Sequence, residues 1–108
     1  MGFFSSLKRN TEIIKAETDI RDITKQIKMI NMDFENNCPV KRETVQNTLD
    51  WVNKTHQILN AEMIREFDNN TLYTTSMYPN LTSEVDLLEL YRAELKYFLD
   101  TKFPKEND

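Results

Sequence analysis

The chain has 108 residues, enough for one domain with one hydrophobic core. One glycine and three prolines are too few for the turns of a sheet protein, whereas 39% apolar and 30% charged residues suit amphipathic helices. The net charge is −4, and no segment is a basic block of the kind that binds nucleic acid. The composition therefore predicts an all-α domain.

Few features of the sequence bear on the cellular compartment of the protein. A single cysteine, Cys38, excludes an internal disulfide and favours a reducing compartment. No apolar run approaches the length of a membrane span or of a signal peptide. Three N-x-T sequons are interpreted as chance matches, because no signal peptide is recognisable. The sequence predicts a cytoplasmic protein.

The first third of the chain carries an unbroken heptad repeat of apolar residues. Its a and d positions are Ile13, Ala16, Ile20, Ile23, Ile27, Ile30 and Phe34. Asn10 or Thr11 is placed to cap the start of this helix, and Pro39 cannot continue it. The pattern predicts a first helix over about residues 10–35, with coiled-coil packing.

A second helix is predicted over about residues 39–68, with Pro39 in its first position and Asn37 or Cys38 as its cap. Its main apolar line is Val45, Leu49, Val52, His56, Leu59, Met63 and Phe67. A second line, Trp51 and Ile58, lies beside the first. Because a helix with two apolar lines usually has two neighbours, we expect a third helix to cover the second line.

Residues 69–82 lose the periodicity and predict a connection of about fourteen residues. Thr82 or Ser83 would cap a third helix over about residues 83–103, with Glu84 in its first turn and Pro104 ending it. Its inner face holds Leu87, Leu88, Tyr91, Leu95, Phe98 and Leu99. The predicted organisation is an N-terminal segment at 1–9, one helical domain at 10–103 and a flexible tail at 104–108.

The flanking charges and the short first connection indicate how the helices meet. In a parallel homodimer of the first helix, Glu12 would face Glu17 of the partner, and no flanking pair would attract. The Asn-Cys-Pro connection favours an antiparallel hairpin instead. We predict a three-helix bundle built on a long antiparallel helical hairpin. A homodimer of hairpins would equally satisfy the preference of isoleucine-rich seams for more than two helices.

Residues for catalysis or metal binding are scarce. One histidine and one cysteine at unrelated positions cannot supply a zinc site, and His56 is interpreted as a histidine hydrogen-bonded within the bundle. Glu62 and Glu66 share a helical face and are interpreted as a solvated edge. The only glycine is Gly2, so a glycine-rich phosphate loop cannot form. We expect no catalytic residue, no metal and no cofactor.

The opening segment, MGFFSSLKR, is both apolar and basic, through Phe3, Phe4, Leu7, Lys8 and Arg9. Such a segment can lie in a membrane interface with its basic residues against anionic lipid, and it matches the short N-myristoylation pattern. Alternatively, its apolar side chains close the open end of the bundle. The sequence leaves both interpretations open.

The connection at 69–82 holds a second set of candidate contacts: Leu72, Tyr73, Met77, Tyr78 and Leu81. Apolar and aromatic residues of this kind are enriched among interface anchors, so they are candidates for binding a partner protein. They would equally serve to cover the end of the bundle.

By elimination, the sequence predicts a non-enzymatic protein-binding module: an adaptor, an inhibitor, an immunity factor or an assembly subunit. The bias towards Ile, Asn and Lys is typical of AT-rich genomes such as those of phages, viruses and low-GC bacteria. One alternative is a peripheral membrane protein anchored by residues 1–9. Another is a nucleic-acid-binding regulator using Lys41 and Arg42, which the acidic C-terminal third disfavours.

Overall fold

A computed structural model describes the backbone of residues 3–70 and 76–103, and the side chains within those ranges from Leu7 onward. Within these residues the chain forms three α-helices, α1 (Phe3–Glu35), α2 (Arg42–Asp68) and α3 (Leu81–Lys102). No strand occurs in the described ranges. The helices pack as an all-α three-helix bundle, as predicted, with α2 and α3 in the closest contact.

The helices run up, down and up. α1 and α2 form the expected antiparallel hairpin. An ion pair shows their directions: Arg9, near the start of α1, pairs with Glu62, near the end of α2, at 3.5 Å between Nε and Oε1. α3 runs parallel to α1: Thr24 is hydrogen-bonded to Tyr91 at 2.9 Å, and further along both helices Asn31 donates to Glu94.

The isoleucine seam is the α1 contribution to the core, as predicted. Ile13, Ala16, Ile23, Ile27 and Ile30 are buried, and Ile20 and Phe34 are partly buried. The other helices contribute aliphatic side chains and one phenylalanine: Val45, Leu49, Val52, Leu59, Leu81, Val85, Leu88, Leu95 and Phe98. Burying an aliphatic side chain of this size contributes about 1.5–3 kcal/mol, so the buried isoleucines of the seam make a large contribution to the stability of the bundle.

α1 begins at Phe3, well before the expected start near residue 10. Neither of the two expected capping residues, Asn10 and Thr11, marks the start of the helix, because both side chains have other partners. Thr11 Oγ1 donates to the Leu7 carbonyl at 2.9 Å, and Asn10 Oδ1 accepts from the Tyr78 hydroxyl at 2.9 Å. A threonine that bonds the carbonyl four residues back is compatible with a helix interior. The N-terminal segment is therefore continuous with α1 from Phe3 onward.

The corner between α1 and α2 is longer than predicted. Asn37 adopts the left-handed conformation, with φ of 57°, and the Cys38 amide donates to the Asp33 carbonyl at 2.8 Å. This arrangement closes the end of α1. Pro39 is not the first residue of the second helix, as expected; α2 starts after Lys41, whose backbone is extended. The chain uses residues 38–41 to reverse direction before α2 begins.

α3 also starts earlier than predicted, at Leu81. Thr82 and Ser83 lie inside the helix, and Asn80 takes the capping position. Leu81 is completely buried, and its amide donates to the Tyr78 carbonyl at 3.3 Å. Burial of this leucine, which the sequence pattern had placed in the connection, fixes the start of the helix. Pro104 and the tail lie outside the described residues.

α3 packs on a different flank of α2 from the one expected. His56 faces α3, with its Nε2 3.0 Å from Oε2 of Glu89. Ile58, two residues further along, points roughly 200° away around the helix. Trp51 and Ile58 instead lie beside α1, where they are only partly buried. The second apolar line is thus left facing a groove.

Candidate functional site: a groove between the first two helices

Two adjoining cavities lie between α1 and α2, with volumes of ≈ 390 Å³ and ≈ 410 Å³. Both are lined by Glu12, Gln57 and Ile58, so they form one continuous feature, here named the α1/α2 groove. All the residues that line it belong to α1 or α2, and those of α2 run from Trp51 to Arg65. At 1.5 Å per helical residue the groove is about 21 Å long.

The floor of the groove is apolar. Ile13 and Ala16 of the buried seam line it from α1, and the partly buried Trp51 and Ile58 line it from α2. Ala61 is exposed and adds a small side chain where a larger one would fill the space. A concave apolar surface with a few polar groups at its edges is the usual character of a binding site.

The walls of the groove are charged, with both signs on α1 and positive charge on α2. On α1, Glu12 is exposed, and Lys15 Nζ lies 2.9 Å from Oδ2 of Asp19. On α2, the charged wall residues are Lys54 and Arg65. Lys15 is an exposed partner in its ion pair, with 75% of its side chain accessible, so it can reach a second carboxylate. The groove thus has an apolar floor and a mixed polar rim, as protein interfaces do.

Glu62 and Glu66 correct one prediction. Both are buried, each 3% exposed, and therefore do not form a solvated edge. Arg65 Nε donates to Glu62 Oε1 at 3.0 Å, and Arg9 approaches the same oxygen. The hydrogen bond to Glu62 is the main reason that the pKa of Arg65 is raised. Burial of Glu62 is tolerated because two guanidinium groups compensate its charge.

A further carboxyl group lies where α1 meets α3. Glu84 is hydrogen-bonded to Glu17, and burial together with that bond and the negative charge of Glu17 raises the pKa of Glu84 to about 8. Nearby, the buried Tyr78 donates to Asn10, and burial raises the pKa of its hydroxyl. These groups join α1 to the start of α3 and to the segment that precedes it.

The candidate residues of the connection divide into two kinds. Tyr78 and Leu81 are core residues, with 6% and 0% of their surface exposed. These two side chains therefore cover the end of the bundle. Met77 is 75% exposed. Leu72 and Tyr73 lie outside the described residues.

The N-terminal candidates lie along the first turns of α1. Leu7 is half-exposed and Lys8 is exposed, so Leu7 does not close the end of the bundle. Arg9 is engaged with Glu62. The side chains of Phe3 and Phe4 lie outside the described residues.

His56 is bonded within the bundle, as predicted, and its side chain is only 12% exposed. Within the described ranges, no three histidine, cysteine, aspartate or glutamate side chains are arranged to hold a metal ion. None of the described helices has the length and apolar character needed to cross a membrane. Comparison of the chain with models of protein families, with curated proteins and with solved structures finds no match.

Proposed function

We propose that the protein is a non-enzymatic protein-binding module whose α1/α2 groove receives a helical surface of a second polypeptide. The observation that carries the proposal is the open apolar floor formed by Trp51 and Ile58, on the opposite side of the hairpin from α3. An adaptor, an inhibitor, an immunity factor and an assembly subunit all act through contacts of this kind.

The shape of the groove supports a helix as its occupant. Two antiparallel helices create a furrow that accepts the ridge of a third, as in helix-in-groove recognition. The length of about 21 Å corresponds to some fourteen residues of helix, or four turns. Ala61 and Ala16 leave space for the partner's apolar side chains. An occupant of this kind would carry charges of both signs beside an apolar stripe, matching the mixed rim.

Site-specific photocrosslinking tests the proposal. We expect the full chain with a benzophenone amino acid at Ala61 to give protein adducts in cells of its natural host. Ala93, another exposed alanine, on α3, is the matched control and should give none. Adding Ile58→Glu should abolish the adducts at position 61 while circular dichroism stays helical. Equal labelling from both positions, or none from Ala61, would contradict the proposal.

A second candidate function is peripheral membrane association. Leu7 and Ile14 are 50% and 56% exposed, and they lie seven residues apart on one side of α1, close to the exposed Lys8. An apolar strip with adjacent basic residues is typical of a helix lying in a membrane interface. The double variant Leu7→Ser/Ile14→Ser should then lose co-sedimentation with anionic phospholipid vesicles. Unchanged sedimentation of the variant, or none by the natural chain, would remove this candidate.

A further inference from the structure

We propose that the α1/α2 groove is covered by the same face of a second copy of this chain, in a two-fold symmetric dimer of hairpins whose four central helices surround both apolar floors. The inference rests on the proposed function and names its partner. The two-fold axis crosses α1 between Ile13 and Ile14, and α2 between Gln57 and Ile58. In this arrangement α1 lies antiparallel across its counterpart, and α2 does the same, while each α3 stays on the outside.

The order of charges along α1 carries the proposal. Glu12, Lys15 and Asp19 line the groove from this helix, and Lys8, four residues before Glu12, continues the same side of it, so that the signs alternate in the order Lys8, Glu12, Lys15, Asp19. Around the proposed axis, Lys8 lies opposite the partner's Asp19, and Glu12 lies opposite the partner's Lys15. Every facing pair therefore attracts. Charges of opposite sign in this register favour one orientation and oppose others.

α2 obeys the same symmetry independently. Arg9 pairs with Glu62, which sets the height of α2 beside α1, and the axis then falls between Gln57 and Ile58. Around that point, the exposed Asp50 lies opposite the partner's Arg65. Lys54 lies opposite the partner's Ala61, where its aliphatic stem covers the small side chain.

The position of this axis also coincides with the middle of the groove. The residues that line it on α2 extend from Trp51 to Arg65, and Ile58 is at their centre. The symmetry operation therefore places one apolar floor directly over the other. Charge order and cavity position are separate features of the chain, and both select the same axis. A C2 interface needs such a self-complementary patch.

The alternative dimer, with its axis parallel to the helices, is electrostatically worse. It would place α2 beside the partner's α1 at the same height. With the heights that the Arg9–Glu62 pair sets, Arg65 would then lie about 3 Å along the helix axis from the partner's Lys8, and Asp50 about 1.5 Å from the partner's Asp22. Like charges come close to each other in both places, and such contacts oppose association.

Charge reversal on α1 tests the register. We expect the full chain to sediment at twice its 12.9 kDa mass at high concentration. Glu12→Lys alone and Lys15→Glu alone each create like-charge pairs with the partner, so each should raise the dimer Kd about tenfold or more. Both side chains are exposed, so Glu12→Lys should keep the thermal stability of the monomer, and Lys15→Glu, which breaks the surface ion pair with Asp19, should lower it only slightly.

The most direct test of the register is to mix the two single variants. A Glu12→Lys chain opposite a Lys15→Glu chain has only attractive pairs, so the mixture should form a heterodimer about as tight as the natural dimer. The double variant Glu12→Lys/Lys15→Glu should also dimerise again. Any of three results would overturn the inference: the natural chain stays monomeric to millimolar concentration, the single variants dimerise normally, or the mixture of the two variants does not form a dimer. Adducts from Ala61 to another protein, with a monomeric chain, would overturn it and leave the proposed function standing.

Discussion

The two faces of the α1–α2 hairpin both carry apolar side chains at their centres, but these side chains are covered to different extents. On one face, α3 seals the hairpin with aliphatic side chains such as Leu88 and with polar contacts such as Thr24 to Tyr91. On the other face, Trp51 and Ile58 pack against the core yet remain partly accessible. The comparison shows that an apolar line on a helix predicts that the line is covered but does not identify what covers it. Here the chain's own third helix covers one face, and we propose that a second polypeptide covers the other.

The largest expected difference between the faces is in the unfolding free energy that is lost when an isoleucine is replaced by alanine. Ile23→Ala, in the sealed core, should lower the free energy of unfolding by about 3 kcal/mol, because the site is fully buried. Ile58→Ala, the same change in the groove, should cost about 1 kcal/mol in the monomer. Urea denaturation at low protein concentration measures both. Equal losses would show that the groove face is as well packed as the core.

The next effect concerns the buried carboxylate at the end of the groove. Glu62→Gln leaves Arg9 and Arg65 without their shared carboxylate partner, and should lower the unfolding free energy by about 1–2 kcal/mol, since both arginines are partly exposed. Glu12→Gln, an exposed glutamate of the same groove, is the control and should change it by less than about 0.5 kcal/mol. Identical denaturation curves for the two variants would mean that Glu62 is solvated after all.

A smaller effect should appear in the pH dependence. The pKa of Glu84 in the folded state, about 8, lies above the ordinary glutamate value of 4.5 that the unfolded chain has. Its contribution to stability is therefore complete below pH 4.5 and is lost as the pH rises towards 8. The Tm should fall by about 5 °C across that window, and Glu84→Gln should remove this part of the decrease. Parallel Tm profiles for the natural chain and the variant would contradict the assignment.

The smallest effect concerns one hydrogen bond on the sealed face. Tyr91→Phe removes the contact with Thr24 and should cost about 1 kcal/mol. Tyr97→Phe, on the exposed side of α3, is the matched control and should be neutral. Thermal denaturation of the two variants makes the comparison, and equal stability would show that the bond between α1 and α3 contributes nothing.

The fold was predictable where local pattern and burial agree. The heptad of isoleucines in the first third indicated both a helix and its buried side, and Pro39 marked the corner correctly. The starts of the helices were harder to predict, because residues that resemble capping residues have tertiary partners. Asn10, for example, accepts a hydrogen bond from Tyr78, which lies far away in the chain. Leu81 was placed in the connection because no repeat continues through it.

The groove was only half predictable. Trp51 and Ile58 could be recognised as a second apolar line, but which neighbour covers it depends on how α3 docks, and helical periodicity does not contain that information. The burial of Glu62 depends on Arg9, more than fifty residues earlier in the sequence. Arg65, three residues after Glu62, was the local signal that could have indicated a paired carboxylate.

The only tryptophan in the chain, Trp51, lies in the groove and reports directly on what covers it. We would measure its fluorescence emission and acrylamide quenching in the full chain from nanomolar to millimolar concentration, with Glu12→Lys as the control. A covered groove predicts protected, blue-shifted emission at high concentration, and a red shift with stronger quenching on dilution, while the variant stays quenchable to much higher concentration. Emission and quenching that never change with concentration, in both chains, would show that no second copy occupies the groove.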